Sequence, residues 1–151
     1  MFKFLKTFEE TKSCTPYGIF MMRIVLALYW GVHWSFKVIH QGMPATEQMF
    51  VGLGYPAWFA WGDVTLEVIA VVCLVLGLYV RTMSLALLVI LVPALEVWIP
   101  NGLWANSGGY EFPVLWILMQ LVLALLGPGA WAMRTLNFIH GETGHGHAAG
   151  Q

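Results

Sequence analysis

Four long apolar stretches separated by short polar or glycine-rich ones dominate the 151-residue chain. They run from about 17 to 39, 57 to 80, 83 to 99 and 112 to 133. A helix rises ~1.5 Å per residue and the hydrocarbon core is ~30 Å thick, so each stretch is a candidate membrane span. Helix punctuation brackets them: Pro16 and Gln41-Gly42, Pro56, Arg81-Thr82, Pro100-Asn101-Gly102, and Gly108-Gly109. A tight turn at Arg81-Thr82 predicts that the second and third spans are antiparallel neighbours. Pro93, inside the third, removes one backbone donor and frees the carbonyl of Val89, which predicts a kink. The pattern predicts an all-α fold, an integral membrane four-helix bundle. Residues 16–136 form its four-transmembrane-helix domain, between a cytoplasmic N-terminal tail (1–15) and a flexible His/Gly-containing C-terminal tail (137–151). Between the first two spans, PATEQMFVGLGY (residues 44–55) predicts a short helix on the outer membrane surface, closed by Gly52 and Gly54. The glycine-rich stretch 101–110 is placed to fold back over the bundle, and either connection is a candidate lid.

Composition supports the membrane reading. Hydrophobic residues make up 59% of the chain and charged residues 10%, against roughly 45–50% and 25% in globular domains. A soluble fold has too few charges here to cover its surface. The net charge of −1 comes with no basic stripe, which excludes a nucleic-acid partner. Cys14 and Cys73 form no CxxC pair, so neither a thiol relay nor a thiolate zinc site is expected. The start, MFKFLKTFEETKSC, mixes both charge signs without an apolar core and is not expected to be a cleavable signal. Lys3, Lys6, Lys12, Arg23, Arg81 and Arg134 fall on one side of the spans and Lys37 on the other. The positive-inside rule then places both termini in the cytoplasm and the chain as a multi-pass protein of the inner (cytoplasmic) membrane. Trp30, Trp34, Trp58, Trp61, Trp98 and Trp104 lie toward the outer end, either as an interfacial belt or as walls of a flat-ligand pocket.

Ionisable groups inside spans cost roughly 2.5–3.5 kcal/mol each on insertion scales and are functional candidates by default. His33, Asp63 and Glu96 fall in the outer parts of the first three spans and Glu67 near the middle of the second. Glu111 opens the fourth, and Lys37 and His40 cap the first. The inner half holds little beyond Arg23, which is expected to snorkel to the headgroups, a buried ion pair or anionic-lipid contact being the alternative. His33 and Lys37 are i,i+4 and His40 follows at i+7, so the three are expected on one helix face; Asp63 and Glu67 are also i,i+4. Two carboxylates so close need Lys37 or a histidine between them, or one of them keeps its proton. Three roles are open to such a group: an ion-pair network that holds the helices in register, a proton-exchanging site beside a redox or lipid-like substrate, or a metal on His33 and carboxylates. No ligand spacing speaks for the metal. His140, His145 and His147 read as a solvated tail rather than a metal tract.

Arg23 opening the first span, Lys37 near its end, Glu67 in the second, LGLYVR at 76–81, GGYEF at 108–112 and LLGPG at 125–129 together resemble the DoxX/DoxD family of small bacterial and archaeal membrane proteins. The likeness extends from about Met22 to Met133. It implies four transmembrane helices with cytoplasmic ends. It also implies a link to redox chemistry, since members similar to DoxD and DoxA form a thiosulfate:quinone oxidoreductase in sulfur-oxidising archaea and others associate with membrane oxidoreductase or thiol-stress complexes. By position, Glu67, Arg81 and Glu111 are the matched polar residues. After Gly129 the chain departs from the pattern: many relatives continue Ser-Leu-Asp, whereas Trp131-Ala132-Met133-Arg134 stands here, so no role for that acid carries over.

Two functions are in view. In the first, the chain is a quinone-linked or sulfur/thiol redox membrane subunit. His33, Asp63, Glu67 and Glu96 are then the candidate catalytic residues, and Trp30, Trp34, Lys37, Trp61, Trp98 and Glu111 the candidate cofactor-binding ones. A dissociable quinone, or a cofactor on a partner subunit, carries the electrons rather than a covalently bound cofactor, because haem, cluster and dinucleotide motifs are missing. In the second, it is a non-catalytic accessory or assembly subunit of a larger respiratory complex, or a homo-oligomer, packing through small residues such as Gly62, Ala70 and Gly77. A proton path or transporter would need polar groups through the full depth, and the inner half reads as apolar.

Overall fold

The computed structural model describes residues 14–133. Expectations that fall on the tails, including His140, His145 and His147, lie outside the described residues. α1 spans Thr15–Ser35 and runs on into a π-helical turn, Phe36–Gln41. α2 is the short helix Met43–Gly52, α3 is Phe59–Leu76, α4 is Val80–Trp98 and α5 is Glu111–Leu126. No strand occurs among the described residues. Three helical stretches are long and apolar enough to cross a membrane: Thr15–Gln41, Phe59–Leu76 and Val80–Asn101. α5 is apolar but only 16 residues long.

Local chemistry explains the boundaries. Pro16 opens α1, where its missing N–H costs nothing. α3 stops at Gly77, whose φ of 74° is the left-handed C-cap, and Leu78 N donates back to Cys73 O at 2.8 Å. The turn therefore lies at Gly77–Tyr79, ahead of the Arg81-Thr82 position the sequence predicts. This puts Arg81 inside the first turn of α4, from which its Nη1 reaches the carbonyls of Ala124 (3.1 Å) and Leu125 (2.7 Å) at the end of α5. A cation on a helix C-terminus meets both orphan carbonyls and the negative end of the dipole. α4 continues as one helix through Pro93. The fourth apolar run ends its helix at Leu126 rather than near 133, because Gly127 (φ 89°) and Pro128 break it. The segment after Pro128 folds back under the helices, with Ala130 N on Pro16 O at 2.9 Å and Met133 N on Leu76 O at 3.0 Å.

α1 packs on α3, α3 on α4 and α4 on α5, and α5 returns to touch α1, while α2 lies against α3. Leu26, Trp30, Ala70, Leu74, Leu87, Leu91, Trp116 and Leu123 form the core between them. The outward faces are apolar as well: Leu125, Val89 and Ile39 are each more than 70% exposed, which suits a chain whose solvent is lipid rather than water.

Candidate functional site

The packing of α1 on α3 creates the site. The two helices run antiparallel, and two turns of each bring their polar side chains face to face. His33 Nδ1 meets Glu67 Oε1 at 2.7 Å. Lys37 Nζ donates to the same Glu67 oxygen at 2.9 Å and also to Asp63 Oδ2. Followed toward the other end, the register sets Trp30 level with Ala70, Leu26 with Leu74 and Arg23 with Gly77. Trp30 and Ala70 are both fully buried, a large residue opposite a small one.

Burial within the cluster is uneven. The Glu67 side chain is 0% exposed and those of Lys37 and Asp63 nearly so, whereas His33 is 42% exposed. The cluster thus has one open corner, at His33. Glu67 Oε2 and Asp63 Oδ1 are buried with no partner among the described residues. Such an atom costs about 1–3 kcal/mol, which marks the cluster as a place where a proton, water or ligand atom is favoured.

Lys37 sits on the π-helical turn, where the wider winding gives a local departure from α geometry of the kind found at functional sites. Thr46 of α2, fully buried, holds that turn: its Oγ1 donates within 3.1 Å of both Lys37 O and Gly42 O. Thr46→Val keeps the shape and removes the hydroxyl, so it is expected to lower unfolding stability in detergent by about 1 kcal/mol, the worth of one such bond. Stability equal to the wild type would mean that α2 does not brace Lys37.

Two different surfaces flank the cluster. On the α5 side the His33 ring stands perpendicular to both Trp116 and Trp30, with centroids 5.4 and 5.8 Å away, and the two indoles lie 4.5 Å apart. On the α2 side, about 100° further round α1, an apolar groove of roughly 410 Å³ is lined by Trp34 and Val38, Met43, and Trp61, Val64 and Val68. Trp61 is tied to α2 by its Nε1–H bond to Glu47 at 2.5 Å.

Of the residues the sequence singled out, the structure brings together His33, Lys37, Asp63 and Glu67, with Trp30 on one flank and Trp34 and Trp61 on the other. It does not bring in Glu96, which is exposed on α4 with no side-chain partner among the described residues. Trp98 is exposed at the end of α4. Glu111 accepts a hydrogen bond from Ala105 N at 3.1 Å and so braces the connection into α5. Arg23 does not snorkel. It is fully buried, with Nη2 near the carbonyls of Ala130 (3.3 Å) and Trp131 (3.4 Å), because the returning chain covers it and supplies acceptors. Sequence reading missed Trp116 and the buried Gln120 and Ser84. A glutamine in the apolar run FPVLWILMQLVLALL, four residues after a tryptophan, is the signal that was there. Among the described residues, no group of three or more His, Cys, Asp or Glu side chains is arranged to hold a metal.

No curated protein and no solved structure gives a significant match to the chain. Residues 18–100, more than half of its length, match the family model DoxX. That stretch covers α1 to the end of α4 and so contains all four members of the cluster. The chain belongs to the DoxX family, whose fold is here realised as apolar helices that enclose a His-Glu-Lys-Asp cluster.

Proposed function

We propose that this DoxX protein is a redox-linked subunit of the inner (cytoplasmic) membrane, in which the His33–Glu67–Lys37–Asp63 cluster exchanges protons with a quinone-like substrate held in the neighbouring groove. In this reading α5 is the fourth span, both termini are cytoplasmic, and the cluster lies in the outer half of the bilayer. One observation carries the proposal: a continuous hydrogen-bonded unit runs from a half-exposed histidine through a fully buried carboxylate to Lys37 and Asp63, directly beside an apolar, tryptophan-walled groove. The groove suits an isoprenoid quinone, with Trp34, Trp61 and Val68 to hold ring and tail, Thr65 as a polar group in its wall, and Asp63 and Lys37 each next in sequence to a lining residue, Val64 and Val38. A quinone there supplies the electron-accepting chemistry. The chain's own part is to admit the tail from the lipid, exclude water, and hold a proton on His33 or a carboxylate.

The test is the isolated native protein. Quinone extracted in stoichiometric amount from the wild type and lost in Glu67→Gln is the expected result, together with an infrared carboxyl band that responds to pH in the wild type and is altered in Glu67→Gln. A wild type free of quinone, with cluster carboxyls silent across the pH range, would overturn the reading.

Glu96 favours a second reading. An unpartnered carboxylate in the outer part of a span, next to the exposed Val92, faces outward where a partner helix would meet it. The protein would then be an accessory subunit of a larger membrane complex or a homo-oligomer. Co-purifying oxidoreductase subunits that are lost in Glu96→Leu but retained in Glu67→Gln would select it.

A further inference from the structure

Below the cluster the core is less dry than hydropathy suggests. Glu67 Oε2, Trp30 Nε1, Trp116 Nε1, Ser84 Oγ, both polar atoms of Gln120, and Nε and Nη1 of Arg23 are buried without a partner among the described residues. They come from all four long helices and point into one interior. Contacts join the upper members: Glu67 is bonded to His33, the His33 ring lies against Trp116, and Trp116 lies against Trp30. Gln120 comes four residues after Trp116 and so occupies the same face of α5, one turn nearer Arg23. α4 packs on α5, and Arg81 in the first turn of α4 is bonded to Ala124 O near the end of α5. About one turn further into the interior from that bond come Ser84 on α4 and Gln120 on α5, both fully buried. Ser84 is itself one turn from Arg81, which is exposed at the end of the protein where α4 begins. The polar groups thus recur at about every helical turn, ~5 Å, from Glu67 down to Arg81. Leu74, Leu87 and Leu123 belong, with Trp30 and Trp116, to the same buried core.

Buried polar groups are almost always bonded, to protein or to ordered water. Adjacent orphans spaced by one turn are within reach of a shared water. Trp30 and Trp116 can only donate and so orient such water, whereas Glu67, Ser84 and Gln120 can accept as well. We propose that this seam is a water-bridged proton route connecting Glu67 with the Arg81 end of the protein. It rests on the reading of the outer cluster as proton-exchanging. For each proton that enters at one end another leaves at the other, so the route moves charge, breaks no heavy-atom bond and requires no oxidant. The consequence is directional: protons taken up or released at the cluster come from, or go to, the side of the membrane opposite the cluster.

The experiment uses the full chain in vesicles that carry a potassium diffusion potential and a trapped pH indicator. The wild type acidifies or alkalinises the lumen faster than protein-free vesicles. Gln120→Leu and Ser84→Ala each bring the rate down to that of protein-free vesicles while the infrared response of the cluster carboxyls persists, which also shows that the variants are folded. Variants that conduct as fast as the wild type would overturn the route. So would a wild type whose carboxyls respond to pH while its vesicles leak no faster than empty ones, and this outcome leaves the cluster reading intact. Silent carboxyls would overturn the cluster reading, and the route with it.

Discussion

Replacing Lys37 with Met is expected to destabilise the folded protein by about 3–5 kcal/mol, the cost of breaking a buried ion pair from one side. Lys37 is bonded to both carboxylates, and both are buried. Methionine keeps most of the aliphatic stem and removes the charge, so packing alone does not account for the loss. His33 does not take over both contacts of Lys37, because it is bonded to Glu67 and makes no bond to Asp63. The measurement is equilibrium unfolding in mixed detergent micelles, monitored by far-ultraviolet circular dichroism. Restoring neutrality checks the cause: Lys37→Met combined with Asp63→Asn and Glu67→Gln is expected to recover most of the stability, since a fully neutral cluster carries no uncompensated charge. If the single variant loses less than about 1 kcal/mol, the cluster behaves like a solvated surface pair, and the case for a water-excluding proton site weakens accordingly.

The i,i+4 pairs His33–Lys37 and Asp63–Glu67 were enough to locate the cluster, because such spacing puts each pair on one face and antiparallel packing then brings the faces together. Other features depended on facts that hydropathy does not hold. Glu96 lies near the end of α4, but position along a helix says nothing of direction: the buried face of α4 is Val80, Ser84, Leu87 and Leu91, and Glu96 falls off it. The apolar run of the fourth stretch continues past Leu126, so hydropathy alone extends the span, whereas the backbone stops at Gly127-Pro128. Gln120 and Ser84 carry no charge and so do not stand out among ionisable groups, yet they are as fully buried as Glu67. The burial of Arg23 depends on the chain after α5 returning over it, which no local pattern encodes. The cluster could be read from local periodicity, and the remainder required knowing which segments come back.

The second large effect is expected at the opposite end, in Gly77→Ala. Gly77 ends α3 with φ 74°, a conformation that already disfavours a side chain. Its missing Cβ is also what leaves room for Arg23: a methyl group there would collide with the guanidinium Nη1 and stand 2.7 Å from the backbone of Ala132. The guanidinium cannot simply move aside, because it is fully buried and its Nη2 is already spent on the carbonyls of Ala130 and Trp131. Nor can the Ala132 segment withdraw cheaply, since Met133 N is bonded to Leu76 O beside it. Backbone strain of about 1–3 kcal/mol and overpacking of a similar size give an expected loss of roughly 2–5 kcal/mol. A double-mutant cycle isolates the share of the guanidinium. With Arg23→Ala in the background the clash with the guanidinium is gone, while the backbone strain and the overlap with Ala132 remain, so adding Gly77→Ala there is expected to cost less than in the wild type but still at least about 1–3 kcal/mol. An equal cost in both backgrounds would mean that Arg23 is not packed on Gly77. A cost near zero in the wild type would mean that the α3–α4 turn does not use the left-handed cap, and that Arg81 is not held where it meets the end of α5.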